Sequence, residues 1–367
     1  MSGEIVERIT LAPGYTISRV AKGNWQLAAK HGKPYPQELA VEDMRRFLEA
    51  GINAFDCADH YVGVEETIGA FRRKYPALAR ELRVSTKYTP DAEQIARLTR
   101  SDVERTIDTS LARLGVERLD LVQFHWWDYD VPGCVQAMLW LRELQLAGKI
   151  AHLGTTNFDV PRLREIVDAG VTLLTNQLQY SVLDHRPENG MVALCRERGI
   201  HLLCYGTIAG GFLSEKWLGQ PEPQGEYENR SLIKYRLIIE DFGGWDAYQR
   251  LLRTLDAIAR KHGAAIGAVA ARYVLDKPQV AAVLIGARDA RHLDENLAVF
   301  RIRLDDDDRQ RIAALVAQAP GPAGDCYALE RVKGGRHASI MHMNQNTRGA
   351  PAHIDMTAPV ASGGSRQ

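Results

Sequence analysis

Cysteine is scarce in this 367-residue chain: Cys57, Cys134, Cys195, Cys204 and Cys326 are odd in number, scattered and mostly set in apolar runs. No disulfide framework is implied, and the pattern fits reduced, buried thiols. An excess of one charge sign is also missing. The 46 Lys and Arg cancel the 46 Asp and Glu, which excludes the electrostatic footprint of a nucleic-acid binder or of a protein that docks on anionic membranes. No apolar run approaches bilayer length, and the opening MSGEIVERIT holds no signal-peptide core, so a cytoplasmic protein without membrane contact is expected. No cluster of His, Cys and carboxylate residues has the close spacing of a zinc site, so no metal is expected. No solenoid-length repeat is present. What remains is a small-molecule partner.

What the chain does hold is alternation. Short apolar runs (TISRVAKGNW, INAFD, LRVSTK, LDLVQFH, IAHLGTTN, LLTNQ, HLLCY, VAAVLIG) are separated by longer amphipathic stretches. Val103, Ile107, Leu111 and Leu114 recur at helical spacing. Asp159 suits a helix N-cap, Pro161 its first turn and Gly170 its end. Eight strands alternating with helices predict parallel crossovers, hence a closed (β/α)8 barrel or an open doubly wound sheet. The polar residues decide between them. Asp56, Lys87, His125, Asn157, Gln177 and Tyr205 each stand at or just past the carboxyl end of a different strand. A closed barrel brings all those ends to one mouth, whereas an open sheet gathers ligands at a single switch point. GNWQLAAKHG after the first strand also lacks the G-x-G-x-x-G phosphate loop. One barrel domain over residues 1–318 is therefore expected.

Asp56 and Tyr61 in FDCADHY, Lys87 in VSTKY and His125 in LVQFHW resemble the catalytic tetrad of the aldo-keto reductases. The likeness continues in order through HLGTTNF, NQLQYS, YGTIAGGFLS and IGARDARHLDEN, over roughly residues 15–315. The resemblance implies the TIM barrel, a nicotinamide cofactor and carbonyl–alcohol chemistry. Hydride delivered to a carbonyl carbon leaves an alkoxide that needs a proton as it forms, so the site requires a general acid. Tyr61 would be that acid. A free phenol has a pKa of roughly 10, and a nearby cation lowers it. Lys87 would supply the cation, Asp56 would hold it, and His125 would orient the substrate carbonyl. Taken singly, Asp56 and Lys87 read equally well as a rim ion pair, His125 as an ordinary strand-end histidine and Tyr61 as loop packing.

The cofactor site follows from the same resemblance. Asn157 and Gln177 match the residues that bond the nicotinamide carboxamide, with Thr156 in place of the usual serine, and Tyr205 matches the aromatic platform. Gly206 and Thr207 replace a commoner serine and proline, while Ile208, Gly210 and Gly211 suit close backbone approach to phosphate. Arg288, after Gly286, suits a ribose 2′-phosphate, so NADP is expected ahead of NAD. His292 occupies a slot more often filled by glutamine or arginine, while Glu295 and Asn296 fit the adenine-contacting positions. Trp25, counted with both cofactor and substrate, joins His60, Trp126 and Trp127 as an expected aromatic-walled pocket for a carbonyl or sugar. Packing in the barrel remains open for one of the two adjacent tryptophans.

Reduction of an aldehyde or ketone by NADPH is the leading expectation. An aldose or alcohol dehydrogenase using Tyr61 as base is the alternative, followed by a cofactor-sensing binding subunit. Residues 214–245 are expected to interrupt the last crossover and cover the mouth or the cofactor. LDDDDRQRIAALVAQA predicts a helix with an acidic first turn. Residues 319–346 are expected to pack back over the barrel or line the pocket as a C-terminal extension, and 347–367 to form a disordered tail.

Overall fold

Eight parallel strands close on one another in this computed structural model, which describes residues 6–29, 34–224, 227, 230–341 and 343. In chain order the strands are β1 (Arg8–Ala12), β2 (Tyr15–Ser18), β3 (Val20–Gly23), β4 (Ala54–Asp56), β5 (Arg83–Tyr88), β6 (Leu119–Phe124), β7 (Ile150–Thr156), β8 (Thr175–Gln179), β9 (His201–Tyr205) and β10 (Val280–Gly286). β3 to β9 lie side by side in sequence order, and β10 closes the ring between β9 and β3. The barrel, not the open sheet, is the fold.

Side-chain alternation explains the closure. Val20, Phe55, Val84, Val122, Leu153, Leu178, Leu202 and Val283 point outward into the core shared with the helices. Their neighbours Ala21, Ala54, Leu121, Leu203, Ala282 and Leu284 form a separate inner cluster, as a period of two requires. The alanines leave room for the three leucines, so the barrel is filled rather than hollow.

One expected strand is in fact two. TISRVAKGNW breaks at Arg19: Ser18 pairs antiparallel with Arg8 of β1, while Val20 pairs in parallel with Val283 of β10. Ser18 causes the break locally, because its hydroxyl donates to Val20 O at 2.7 Å while its own N–H donates to Asn53 Oδ1 at 2.7 Å. Such side-chain bonds compete with the ladder. The β1–β2 hairpin turns at Pro13 and Gly14, whose φ of 75° suits glycine. Leu11, Tyr15 and Ile17 from it pack into the inner cluster and stopper the barrel's amino-terminal end.

Helix signals were legible. Arg100–Leu114 starts at a capping box of Thr99 and Asp102 and buries Val103, Ile107 and Leu114. Val160–Asp168 is capped by the Asp159 side chain, and Asp306–Gln318 by a box of Asp305 and Asp308. The segment 214–245, expected only as a cover, contains a helix, Arg230–Phe242. Tyr235, Ile238, Ile239 and Phe242 are its buried face. Beyond the last barrel helix the chain forms a short helix, Ala328–Arg331, and a 3-10 turn, Ala338–Ile340. His337 Nε2 lies 2.8 Å from Asp241 Oδ2, and Arg336 pairs with Glu240 and Asp241, which ties this segment to Arg230–Phe242. The expected tail at 347–367 lies outside the described residues. No described helix is long and apolar enough to cross a membrane.

Candidate active site

Register sets the first pair. Asp56 is opposite Ser85, so Lys87, two residues on and facing the same way, stands one step nearer the open end. Its ammonium folds back to Asp56, 2.9 Å from Oδ1 and 2.7 Å from Oδ2, and gives its remaining hydrogen to Cys57 O at 2.9 Å. Asp56 Oδ1 also accepts from Gln177 Nε2 at 2.7 Å and Ser85 Oγ at 3.2 Å. Both charges are buried, and this full set of partners is what a buried pair needs to be tolerated. Burial alone would lower the lysine's pKa, but Asp56 more than reverses it, so Lys87 is held protonated above its ordinary value.

Lys87 Nζ lies 5.0 Å from the centre of the Tyr61 ring. The expected net lowering of the phenol is not found. Burial pushes Tyr61 up to about 12, with the Lys87 charge opposing. Desolvation outweighs the cation, and the Asp56 carboxylate beside it raises the phenol further.

His125 follows β6 with Nδ1 3.0 Å from Thr156 O. A carbonyl only accepts, so Nδ1 carries the hydrogen. Burial, then the nearby Arg331 charge, push the imidazole down to about 3. The ring is therefore neutral and Nε2, buried without a partner, is an acceptor. This differs from the expected donor to a substrate carbonyl. The sign follows for stability: an unfolded histidine titrates near 6.5, so between about 3 and 6.5 the unfolded chain binds more protons and stability falls as pH drops. At pH 5 the loss is about 2 kcal/mol. His125→Asn should shrink the stability difference between pH 7 and pH 5 by about that amount in denaturant titrations. An unchanged difference would contradict the neutral assignment.

The residues matched to a nicotinamide adjoin this group. Tyr205 Oη donates to Asn157 Oδ1 at 2.7 Å. Asn157 holds a left-handed φ of 62° and donates its N–H to Gln177 O at 2.8 Å. Gly206, Gly210 and Gly211 all have positive φ. Thr207 between them is fully buried with its hydroxyl unpartnered, and Ile208 is half-buried. This set fits a dinucleotide: an aromatic platform, two amides and open backbone. Tyr235 lies in the same cradle, however, since a Cβ on Gly206 would stand 2.9 Å from its Oη and one on Gly210 2.7 Å from its Cδ2.

At the far end, β10 stops at Gly286, where a Cβ would meet Gln26 Nε2 at 2.0 Å. Arg288 donates to Pro34 O at 3.2 Å and lies over the Tyr35 ring at 5.3 Å. His292 and Glu295 pair on the surface at 3.0 Å, and Asn296 is buried. Lys22, passed over in the sequence, supports this turn from beneath: its Nζ donates to Ala287 O at 2.8 Å, and burial brings it down to about 7.

Trp25 and His60 flank Tyr61, with ring centres 4.7 and 4.8 Å away. Trp127 stands edge-on to His125 at 4.3 Å. Trp126 does not join them. It is wholly buried, packs on Phe124 at 5.9 Å and bonds Val131 O at 3.2 Å, so its side chain belongs to the core. Three further side chains do reach the mouth: Lys234 of Arg230–Phe242, and Tyr327 and Arg331 of the C-terminal segment. Arg331 donates to Asn157 O and Trp126 O, each at 2.9 Å. Lys234 Nζ is 3.3 Å from Tyr205 Oη. Neither segment carries the barrel's repeating pattern, so no periodic signal marks these residues.

Fold and site define a parallel-barrel enzyme with its polar groups at the carboxyl ends of the strands. The model of the Aldo/keto reductase family matches residues 19–317. A chloroplastic pyridoxal reductase from Arabidopsis thaliana is 29% identical over 334 residues, covering 86% of this chain and 87% of that protein. An NADH-specific methylglyoxal reductase from Escherichia coli (strain K12) is 25% identical, covering 80% and 93%. Among solved structures, a thermostable aldo-keto reductase in complex with the inhibitor epalrestat aligns with a TM-score of 0.67 at 25% identity, over 84% of this chain and 99% of that one. The chain belongs to the aldo/keto reductase family. It is accordingly an oxidoreductase of small carbonyl compounds that uses a nicotinamide cofactor.

Proposed function

We propose that this protein reduces an aldehyde or ketone to the alcohol with NADPH, and that Tyr61 is the general acid. The observation that carries this reading is the buried Lys87–Asp56 pair with its ammonium 5.0 Å from the Tyr61 ring. The nicotinamide, held by Tyr205, Asn157, Gln177 and Thr156, would supply the hydride. Tyr61 gives its phenolic proton to the oxygen that becomes the alcohol, and the phenolate that develops is stabilised by Lys87. Asp56 keeps that ammonium charged and in place.

Protonation supports the reductive direction. A phenol at about 12 is protonated at neutral pH, which is the form a general acid starts from. That favours reduction over the dehydrogenase alternative, in which Tyr61 would have to start as phenolate. His125, neutral with a free Nε2 lone pair, would accept from a hydroxyl beside the reacting carbon. For NADPH the support is Arg288, steadied on Tyr35 where a ribose 2′-phosphate is expected. The name of the Escherichia coli relative shows that an NADH-specific member exists at this distance. We read the protein as cytoplasmic, a view supported by five free, buried cysteines.

The test is a panel of aldehydes, ketones, alcohols and aldoses run with each cofactor in both directions. Carbonyl reduction should dominate with NADPH, and Arg288→Leu should erase the NADPH preference, about tenfold or more for a lost charge-assisted pair. Oxidation of alcohols or sugars with no reduction of any carbonyl would overturn the proposal.

A further inference from the structure

Resting on the reductase reading above, we infer that the barrel mouth reads a single negative charge on the substrate, a carboxylate by preference, through Lys234 and Arg331 on either side of Tyr327. Both cations come from outside the eight strand-helix repeats, which already supply the redox centre.

Lys234 Nζ lies 4.7 Å from the Tyr205 ring centre, 5.7 Å from that of Tyr327 and 5.9 Å from that of Tyr235. Its hydrogen bond to Tyr205 Oη, at 3.3 Å, uses one of three donors. It forms no ion pair with a described residue, and burial lowers its pKa. An ammonium withdrawn from water in this way gains from an anion. Arg331 is clamped between Tyr129 and Tyr327, 4.0 and 4.9 Å from their ring centres. It too bonds only carbonyls, Asn157 O and Trp126 O, and its Nε is buried without a partner.

The neighbouring carboxylates are committed elsewhere. Both oxygens of Glu330 accept from Arg186, at 2.8 and 3.1 Å. Asp184 accepts from Arg186 at 2.7 Å and Gln179 at 2.6 Å. Arg186 thus occupies both carboxylates that face Lys234, and Arg331 faces Asp128 and Asp159, so the ammonium with two uncommitted donors is the group left for one carboxylate. The place is right for a substrate: Tyr327 stands edge-on to His125 at 5.7 Å, and Lys234 bonds the phenol that bonds Asn157.

The cofactor's phosphates are the other possible source of an anion, since Tyr235, the next residue, covers Gly206 and Gly210. One helical step turns Lys234 by about 100° from Tyr235, onto Tyr205 and Tyr327, so the substrate is the assignment made here.

The experiment compares 4-carboxybenzaldehyde with benzaldehyde as substrates of the full chain, and benzoate with benzyl alcohol as ligands of the NADP-loaded protein by calorimetry. Wild type should favour the carboxylated aldehyde about tenfold or more in kcat/KM, through KM. Lys234→Met should bring that ratio to about one and abolish the preference for benzoate, while Lys234→Arg should restore both. Equal turnover of both aldehydes by wild type would overturn the proposal. So would a Lys234→Met variant that loses affinity for NADPH in place of benzoate, which would assign the ammonium to phosphate. No turnover of any aldehyde, with benzoate still bound in a Lys234-dependent manner, would sink the reductase reading and leave the anion site standing.

Discussion

Tyr61→Phe is expected to lower kcat for carbonyl reduction by about 10²- to 10⁴-fold, the usual worth of a positioned general acid. The substitution removes one hydroxyl and keeps the ring, so the packing against Trp25, His60 and the Lys87 ammonium is retained. Affinity for the cofactor, measured by quenching of tryptophan fluorescence, should stay near that of wild type. The loss should therefore fall on kcat and kcat/KM together, the mark of an interaction made in the transition state. Turnover within tenfold of wild type would remove Tyr61 from the proton-transfer role.

Lys87→Met should damage both chemistry and stability. The Asp56 carboxylate keeps Gln177 and Ser85 as donors but loses its counter-charge in a buried site. Breaking such a pair from one side costs about 3–5 kcal/mol. The pH dependence has a definite sign. Lys87 is raised above its ordinary value in the folded protein, so its contribution is fully present below the unfolded lysine value and is lost only as pH rises through the folded one. At neutral pH the whole contribution is therefore at stake, and denaturant titration there should show it. A variant within about 1 kcal/mol of wild type would mean that the pair is no better than a surface contact. Turnover should fall with it, because the developing phenolate loses its neighbouring charge.

The barrel was legible because its rule is local. Period-two alternation and helix caps such as Thr99, Asp159 and Asp305 act over a few residues, and the structure keeps them. Asp56, Lys87, His125, Asn157 and Gln177 were legible for a related reason: a polar residue ending an apolar run has few places to go except the mouth. The failures came from interactions between distant parts of the chain. Ser18 breaks a continuous-looking strand because Asn53, 35 residues on, bonds its N–H. Trp126 looks like its neighbour Trp127, yet successive residues face opposite ways and only Trp127 meets His125. The acidity of Tyr61 runs opposite to the sequence expectation because proximity to a cation is visible in the pattern, whereas depth of burial is not. Lys234, Tyr327 and Arg331 could not be placed by any barrel repeat. Even so, the helix carrying Lys234 has a readable apolar face at Tyr235, Ile238, Ile239 and Phe242.

The claim beneath the proposal is that the Lys87 ammonium acts on the reaction through the Tyr61 phenol. Rapid-mixing rates of hydride transfer from NADPH in Tyr61→Phe, Lys87→Met and the double variant test it most directly. If the two groups work as one unit, the double variant should be no slower than the slower single variant. Losses that multiply, with the double variant slower by the product of the two, would show that lysine and phenol act independently and would contradict the account.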